Sequence, residues 1–266
     1  MSRGLLDENE LRHIADQLPD LSDLQHLKGG LAPDTTALVF PPQSWIPVAG
    51  VALIDAIETA EEAAHALHEC LAHRTWYRER HSPPDEIAAA FFGRFYATDL
   101  ALRIYAGGEH LANAIIFMLE IDEAELTQSK RPRASQASNV GHFLLRSKCD
   151  HPITRAIADL GRSREWQETS RYRNRWTHQQ PPTISQLGLV YRRKRPWSDL
   201  SGGIGQVLNI GGSDRPEYSV DDLLGFMTPA FFGFVTTMRQ VLRWYTDYLR
   251  DRGIRLRWPG ETPAGS

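Results

Sequence analysis

Apolar residues recur at helical spacing along most of the chain, and the interruptions of that pattern predict its elements. Leu6, Leu11, Ile14 and Leu18 fall near one face of a short amphipathic helix over 5–18. Residues 19–50 break the period with Pro19, Gly29-Gly30, Pro33, Pro41-Pro42 and Pro47, which predicts a loop-rich stretch. A long helix is predicted over 51–80, stopped by Ser82-Pro83-Pro84. Pro84-Asp85-Glu86 suits the first turn of the next helix, over 85–105. Gly107-Gly108 predicts a break, with Glu109 opening another helix to Leu126. A polar connection over 127–137 precedes helical segments at 138–147, 152–160 and 163–179, the last ending before Pro181-Pro182.

The period then changes. Leu187 to Arg193 and Gln206 to Ile210 look like the two strands of a hairpin, joined by a loop holding Pro196, Asp199 and Gly202-Gly203. Ser219 stands three residues before Asp222, an approximate capping box that opens a final long helix over 220–251. Its stripe of Phe226, Phe231, Phe232, Phe234, Val235, Met238, Val241, Leu242 and Trp244 reads as core or as a dimer interface. The expected fold class is mainly α, a helical bundle with a small β-hairpin insertion. Residues 1–50 read as an N-terminal helix and loop-rich extension, 51–251 as the bundle with its hairpin at 185–212, and 252–266 as a C-terminal tail.

Composition narrows the setting. An apolar share of 41% is ordinary for a soluble globular protein. Cys70 and Cys149 form no C-x-x-C pair and no disulfide framework, so a reducing, cytoplasmic location is expected. Met1 to Asp7 lacks a basic segment followed by an apolar one, so no secretory signal is expected. The most apolar run, Gly225 to Met238, is too short for a bilayer and contains Pro229, so no membrane association is expected.

The net charge of −3 conceals an asymmetry. Between Gln128 and Leu200 stand 15 Lys and Arg against 5 Asp and Glu, a local balance of +10, while the rest of the chain carries −13. Such a concentration attracts polyanions if the cations share a surface, and is neutralised if they pair with the acidic remainder.

Inside this basic stretch lies Arg173-Asn174-Arg175-Trp176-Thr177-His178. Arginine can orient a phosphate with its planar fork, and histidine can move a proton near neutral pH. Asn174 and His178, four apart, share a face, whereas Arg173 and His178 are offset by about 140° on an ideal helix. Arginine's length lets its head group swing across. The offset also suits a site shared by a symmetric helix pair. His178 falls in the last turn, where the helix dipole favours imidazolium. The plainer alternative is a solvated basic helix end.

This motif resembles that of the HEPN superfamily, whose ribonuclease members carry R-x4–6-H, often with Asn or another polar residue directly after the Arg. The resemblance covers about 85–250, with Arg173, Asn174 and His178 as its specific part. It implies a helical bundle that dimerises with two motifs facing each other, and RNA cleavage without a metal, by attack of the 2′-hydroxyl on the adjacent phosphorus. Arg173 would then stabilise the phosphorane, His178 would act as general acid or base, and Asn174 would position His178 or a phosphate oxygen. Family members that bind without cleaving make a non-catalytic nucleic-acid-binding, nucleotide-binding or scaffold protein the alternative. The resemblance also implies a toxin or effector of a prokaryotic defence or toxin–antitoxin system, with an antitoxin or defence protein as partner.

Further substrate contacts are expected from Arg171 and Arg175 and from the run Arg192, Arg193, Lys194 and Arg195, with Tyr191 or Trp197 stacking on a base. Glu109 and Asn113 could line the same cleft or stand as exposed polar positions. No cofactor and no metal are expected. Glu61, His65, Glu69 and His73 do form one stripe, and Glu62-x-x-His65 and Glu10-x-x-His13 have the spacing of di-metal bundles, but partner glutamates are lacking. Gly202-Gly203-Ile204-Gly205 lacks the third glycine and following helix of a dinucleotide fingerprint, and His68-Glu69-x-x-x-His73 is one residue too long for a zinc-protease motif.

Overall fold

The computed structural model describes residues 4–31, 44–132, 134–147, 150–179, 181–187, 192–198, 204–209 and 216–254, with backbone alone at 30–31 and in the two strands. The chain is mainly helical. Helix α1 (Glu8–Ala15) is opened by an Asp7–Glu10 capping box. Helix α2 (Ser22–Leu31) occupies part of the stretch whose prolines and glycines predicted loop. Its Leu24 is fully buried, and Lys28 pairs with Glu58 and Glu61 on the next helix. Tertiary contacts thus hold a helix there. Residues 32–43 lie outside the described residues.

Helix α3 (Trp45–Thr75) begins earlier than the predicted 51. Pro47 falls in its first turn, where a missing N–H removes no helical bond. A π-helical turn (Trp76–Arg80) continues it. Helix α4 (Glu86–Met118) then runs antiparallel to α3 and corrects the expected break at Gly107-Gly108. Both glycines are helical because large rings lie against them. A Cβ on Gly108 would come 2.2 Å from Trp166 Cη2, and one on Gly107 2.5 Å from Phe234 Cζ. The missing side chains are therefore a packing requirement.

Helix α5 (Glu123–Ser129) is separate from α4 and follows an Asp122 cap. Helices α6 (Gln136–Ser147), α7 (Pro152–Arg162) and α8 (Arg164–His178) agree with the predicted segments within two residues. Strand β1 (Arg192–Ser198) pairs antiparallel with β2 (Ile204–Asn209). β1 lies further along the chain than the Leu187–Arg193 alternation predicted, and residues 188–191 are outside the described ones. Among the described residues each strand pairs only with the other, and such an edge strand accommodates Pro196.

Helix α9 (Val220–Asp251) has the predicted bounds and the Ser219–Asp222 capping box. It packs against α3, α4, α7 and α8. Phe231, Phe234, Val235, Met238, Val241 and Leu242 from its stripe are buried in the main core, while Phe232 remains 41% exposed. That core joins residues from Leu21 to Leu249, and a small satellite of Leu6, Ile14 and Ala72 seats α1. Among the described residues no helix is long and apolar enough to cross a membrane.

Candidate functional site

The end of α8 is positioned from behind by its own aromatic anchors. Trp166 and Tyr172 are almost completely buried. Trp166 Nε1 donates to Ser135 Oγ (3.0 Å), and the Tyr172 hydroxyl lies 2.9 Å from Thr98 Oγ1. Two hydrogen bonds and two large rings therefore fix α8 against α4 and the start of α6. The opposite face of α8 borders an open cavity of about 760 Å³. Arg131, Arg171, Arg173 and Arg175 line it together with Asn174 and His178.

Arg173 is the hub of this cavity. Its Nη1 donates to Asn174 Oδ1 (3.0 Å) and reaches His178 Nε2 at 3.4 Å. Its guanidinium carbon lies 4.1 Å from the centre of the Tyr105 ring, a cation–π contact. The 140° offset in sequence is overcome within one chain by the length of the arginine. Arginine only donates, so this contact needs an unprotonated Nε2 on His178. His178 itself is exposed. The buried Nε of Arg173 has no hydrogen-bond partner among the described residues.

Tyr105 lines the cavity from α4. Glu109, one turn further on α4, accepts from the Gln136 amide at the start of α6 (2.7 Å). Burial raises the Glu109 carboxyl above its ordinary value, against the opposing pull of Gln136 N–H and the Arg173 charge. Burial also raises Tyr105, and the Glu109 charge adds to the effect. Glu109 thus stands behind Tyr105 and Arg173 instead of facing the cavity. Asn113, two turns past Tyr105, is exposed and borders a different cavity of about 380 Å³ with Trp45 and Phe117. Its only described link to the site is Gln136 Nε2, at 3.4 Å.

The arginines flanking the motif are less available than expected. Arg175 reaches both carboxylate oxygens of Glu217, with Nη2 to Oε1 at 2.9 Å. This bidentate pair pulls the Glu217 carboxyl below its ordinary value. Arg171 Nη1 donates to Glu168 at 2.7 Å. Arg131 is the contribution that sequence reasoning missed. It comes from the polar connection after α5, where no periodicity marks it. Ser135, Ser138 and Tyr105 were missed for the same reason: tertiary packing alone brings them to the cavity. The side chains of Arg192, Arg193, Lys194, Arg195 and Trp197, and all of Tyr191, lie outside the described residues.

The glutamate–histidine stripe of α3 makes no comparable site. Among the described residues no group of three His, Cys, Asp or Glu side chains is placed to hold a metal ion. Glu61 pairs with Lys28 and Glu62 with Arg103, while Glu69 and His73 are buried 3.6 Å apart. Glu10 pairs with Arg80. The arrangement at α8 can bind an anion and move a proton beside it. No family model matches the chain, and no curated protein or solved structure does so either.

Proposed function

We propose that this chain is an endoribonuclease that cleaves RNA by 2′-hydroxyl transesterification, with Arg173, Asn174 and His178 as its reacting groups. One observation carries the reading: a guanidinium, a carboxamide and an exposed imidazole meet within hydrogen-bond reach at the wall of an arginine-lined cavity. The phosphate sits against Arg173, whose fork stabilises the charge that develops on the phosphorane. His178 Nε2, released as Arg173 turns to the phosphate, takes the 2′-hydroxyl proton. The 2′-oxygen then bonds to phosphorus as the P–O5′ bond breaks, a second imidazole in its protonated form gives its proton to O5′, and the products are a 2′,3′-cyclic phosphate and a 5′-hydroxyl. Side chains supply every charge and proton in this scheme, so the reaction requires no metal.

In-line displacement places the attacking and leaving oxygens on opposite sides of phosphorus. One imidazole serves one of them. A homodimer with two α8 ends facing each other would supply the second from the partner's copy of the motif, as the HEPN resemblance implies. The same resemblance supports a toxin or defence effector held by an antitoxin or other partner protein. The basic run Arg192, Arg193, Lys194 and Arg195 would supply further phosphate contacts.

The test is incubation of purified protein with end-labelled RNA in EDTA. Cleavage to cyclic phosphate and 5′-hydroxyl ends is expected, and Arg173→Ala or His178→Ala should each abolish it. Binding without cleavage by the wild type would replace this reading with the non-catalytic one.

A further inference from the structure

Basic charge continues from the cavity onto the surface formed by α6 and α7. Arg131, at the cavity edge, places Nη2 2.6 Å from His142 Nδ1 on α6. Arg146 stands one turn beyond His142 on α6, and Arg162 ends α7. The two helices pack backbone to backbone. A Cβ on Gly141 would lie 2.8 Å from Ala158 Cα, and one on Gly161 2.8 Å from Ser138 Cα. This close approach lets side chains from both helices share one surface.

Three observations define this cluster, and the last sets it apart from other exposed arginines such as Arg155 and Arg164. Arg131, Arg146 and Arg162 are all exposed. None forms an ion pair with a carboxylate among the described residues, although Asp159 lies one turn before Arg162. All three also act on His142: burial lowers its proton affinity most, and the three guanidinium charges lower it further. Their fields therefore converge on one imidazole. Arg131 donates to Nδ1, which leaves the neutral ring with an Nε2–H donor. Like charges held together without counter-charge repel, and a polyanion relieves that repulsion.

We propose that Arg131, His142, Arg146 and Arg162 form a second phosphate-holding surface, which carries a single RNA strand away from the Arg173–His178 cavity across α6 and α7. The identity of the strand rests on the ribonuclease reading; the anion surface does not. Guanidiniums without carboxylate partners take phosphates at no cost of breaking an ion pair, unlike Arg171 and Arg175.

The test uses fluorescence anisotropy with a labelled 2′-O-methyl oligonucleotide of about a dozen residues, within the usual span of single-strand sites. The ribose methyl blocks cleavage, so binding is read alone. Wild type is compared with Arg146→Gln/Arg162→Gln and with Arg146→Lys/Arg162→Lys, each checked for an unchanged melting temperature. Loss of two phosphate contacts should flatten the dependence of log K on log[salt] by about 1.4. The lysine pair should restore most of that slope, because it keeps the charge. An unchanged slope and affinity in the glutamine pair would overturn the proposal, as would wild-type binding of a dinucleotide as tight as that of the longer strand. Cleavage of unmodified RNA is scored separately. A flattened slope without any cleavage would leave this surface standing and remove the ribonuclease.

Discussion

His178 and His73 both belong to helical patterns that suggest chemistry, yet the fold treats them oppositely. His178 ends α8 beside an arginine-lined cavity, exposed and within reach of Arg173. His73 lies near the end of α3, 5% exposed, with its ring stacked on Phe92 at 4.7 Å and Tyr96 at 5.2 Å. Neither of its ring nitrogens has a hydrogen-bond partner among the described residues, and Glu69 stands 3.6 Å away. Spacing of four aligns side chains in both places. Access to solvent and a neighbouring cation separate an imidazole placed to react from a packed one.

The largest expected effect tests that contrast directly. Arg173→Ala and His178→Ala should each lower RNA cleavage by at least about 10²–10⁴-fold, the usual worth of a positioned acid–base or charge-stabilising group. Neither substitution should move the melting temperature appreciably. His73→Phe should retain cleavage. Equal loss in His73→Phe, measured as initial rate on labelled RNA, would erase the distinction.

A second prediction concerns how the basic region is held. Gly108→Ala drives a methyl into Trp166, the anchor of α8, at a separation no relaxed pair adopts. Overpacking of this kind costs about 1–3 kcal/mol. The same substitution at Gly225 on α9, where nothing lies within 4 Å of an added Cβ, should be neutral or stabilising by up to about 1 kcal/mol. Denaturant unfolding of the two variants reads the difference. Gly108→Ala should also impair cleavage, because displaced Trp166 moves the helix that carries Arg173.

These glycines show where sequence legibility stopped. A Gly-Gly pair raises the cost of a helix locally, and that cost predicts a break. Trp166 and Phe234, distant in sequence, make the absence of side chains there favourable. By contrast, α9 was legible to the residue because its start signal, Ser219 to Asp222, is local. The same division runs through the candidate site. Arg173, Asn174 and His178 were legible because they share one helical turn and a half. Tyr105, Arg131 and Ser135 were not, since they meet only when α4, α6 and α8 pack. Asn113, which could line the cleft or stand as an exposed polar position, is exposed and borders the other cavity.

Acidity sharpens the comparison at smaller scale. Burial lowers His73 below the ordinary histidine value of 6.5, while Glu69 opposes the shift. The unfolded chain then binds more protons than the folded one as pH falls below 6.5, so this region loses stability with acid. His73→Phe should flatten the fall in melting temperature below that pH. An unchanged acid limb would show that burial among the rings does not penalise protonation of His73, or that Glu69 offsets the penalty in full.

Glu109, behind Arg173, should have the opposite slope and the smallest effect. Its carboxyl is raised above 4.5 by burial, so the folded chain holds a proton that the unfolded chain has released. Stability from this group is fully present below 4.5 and falls as pH rises through the folded value. Glu109→Gln keeps a carbonyl for the Gln136 amide and removes the buried charge. At neutral pH it should stabilise the protein by about 1 kcal/mol or less, and the gain should vanish toward pH 4. Melting curves across that range decide it. A loss of stability at neutral pH would mean that the attraction of ionised Glu109 to Arg173 exceeds its burial penalty. The basic cavity would then depend on that carboxylate as a counter-charge, whereas the two groups would otherwise stand close without needing each other.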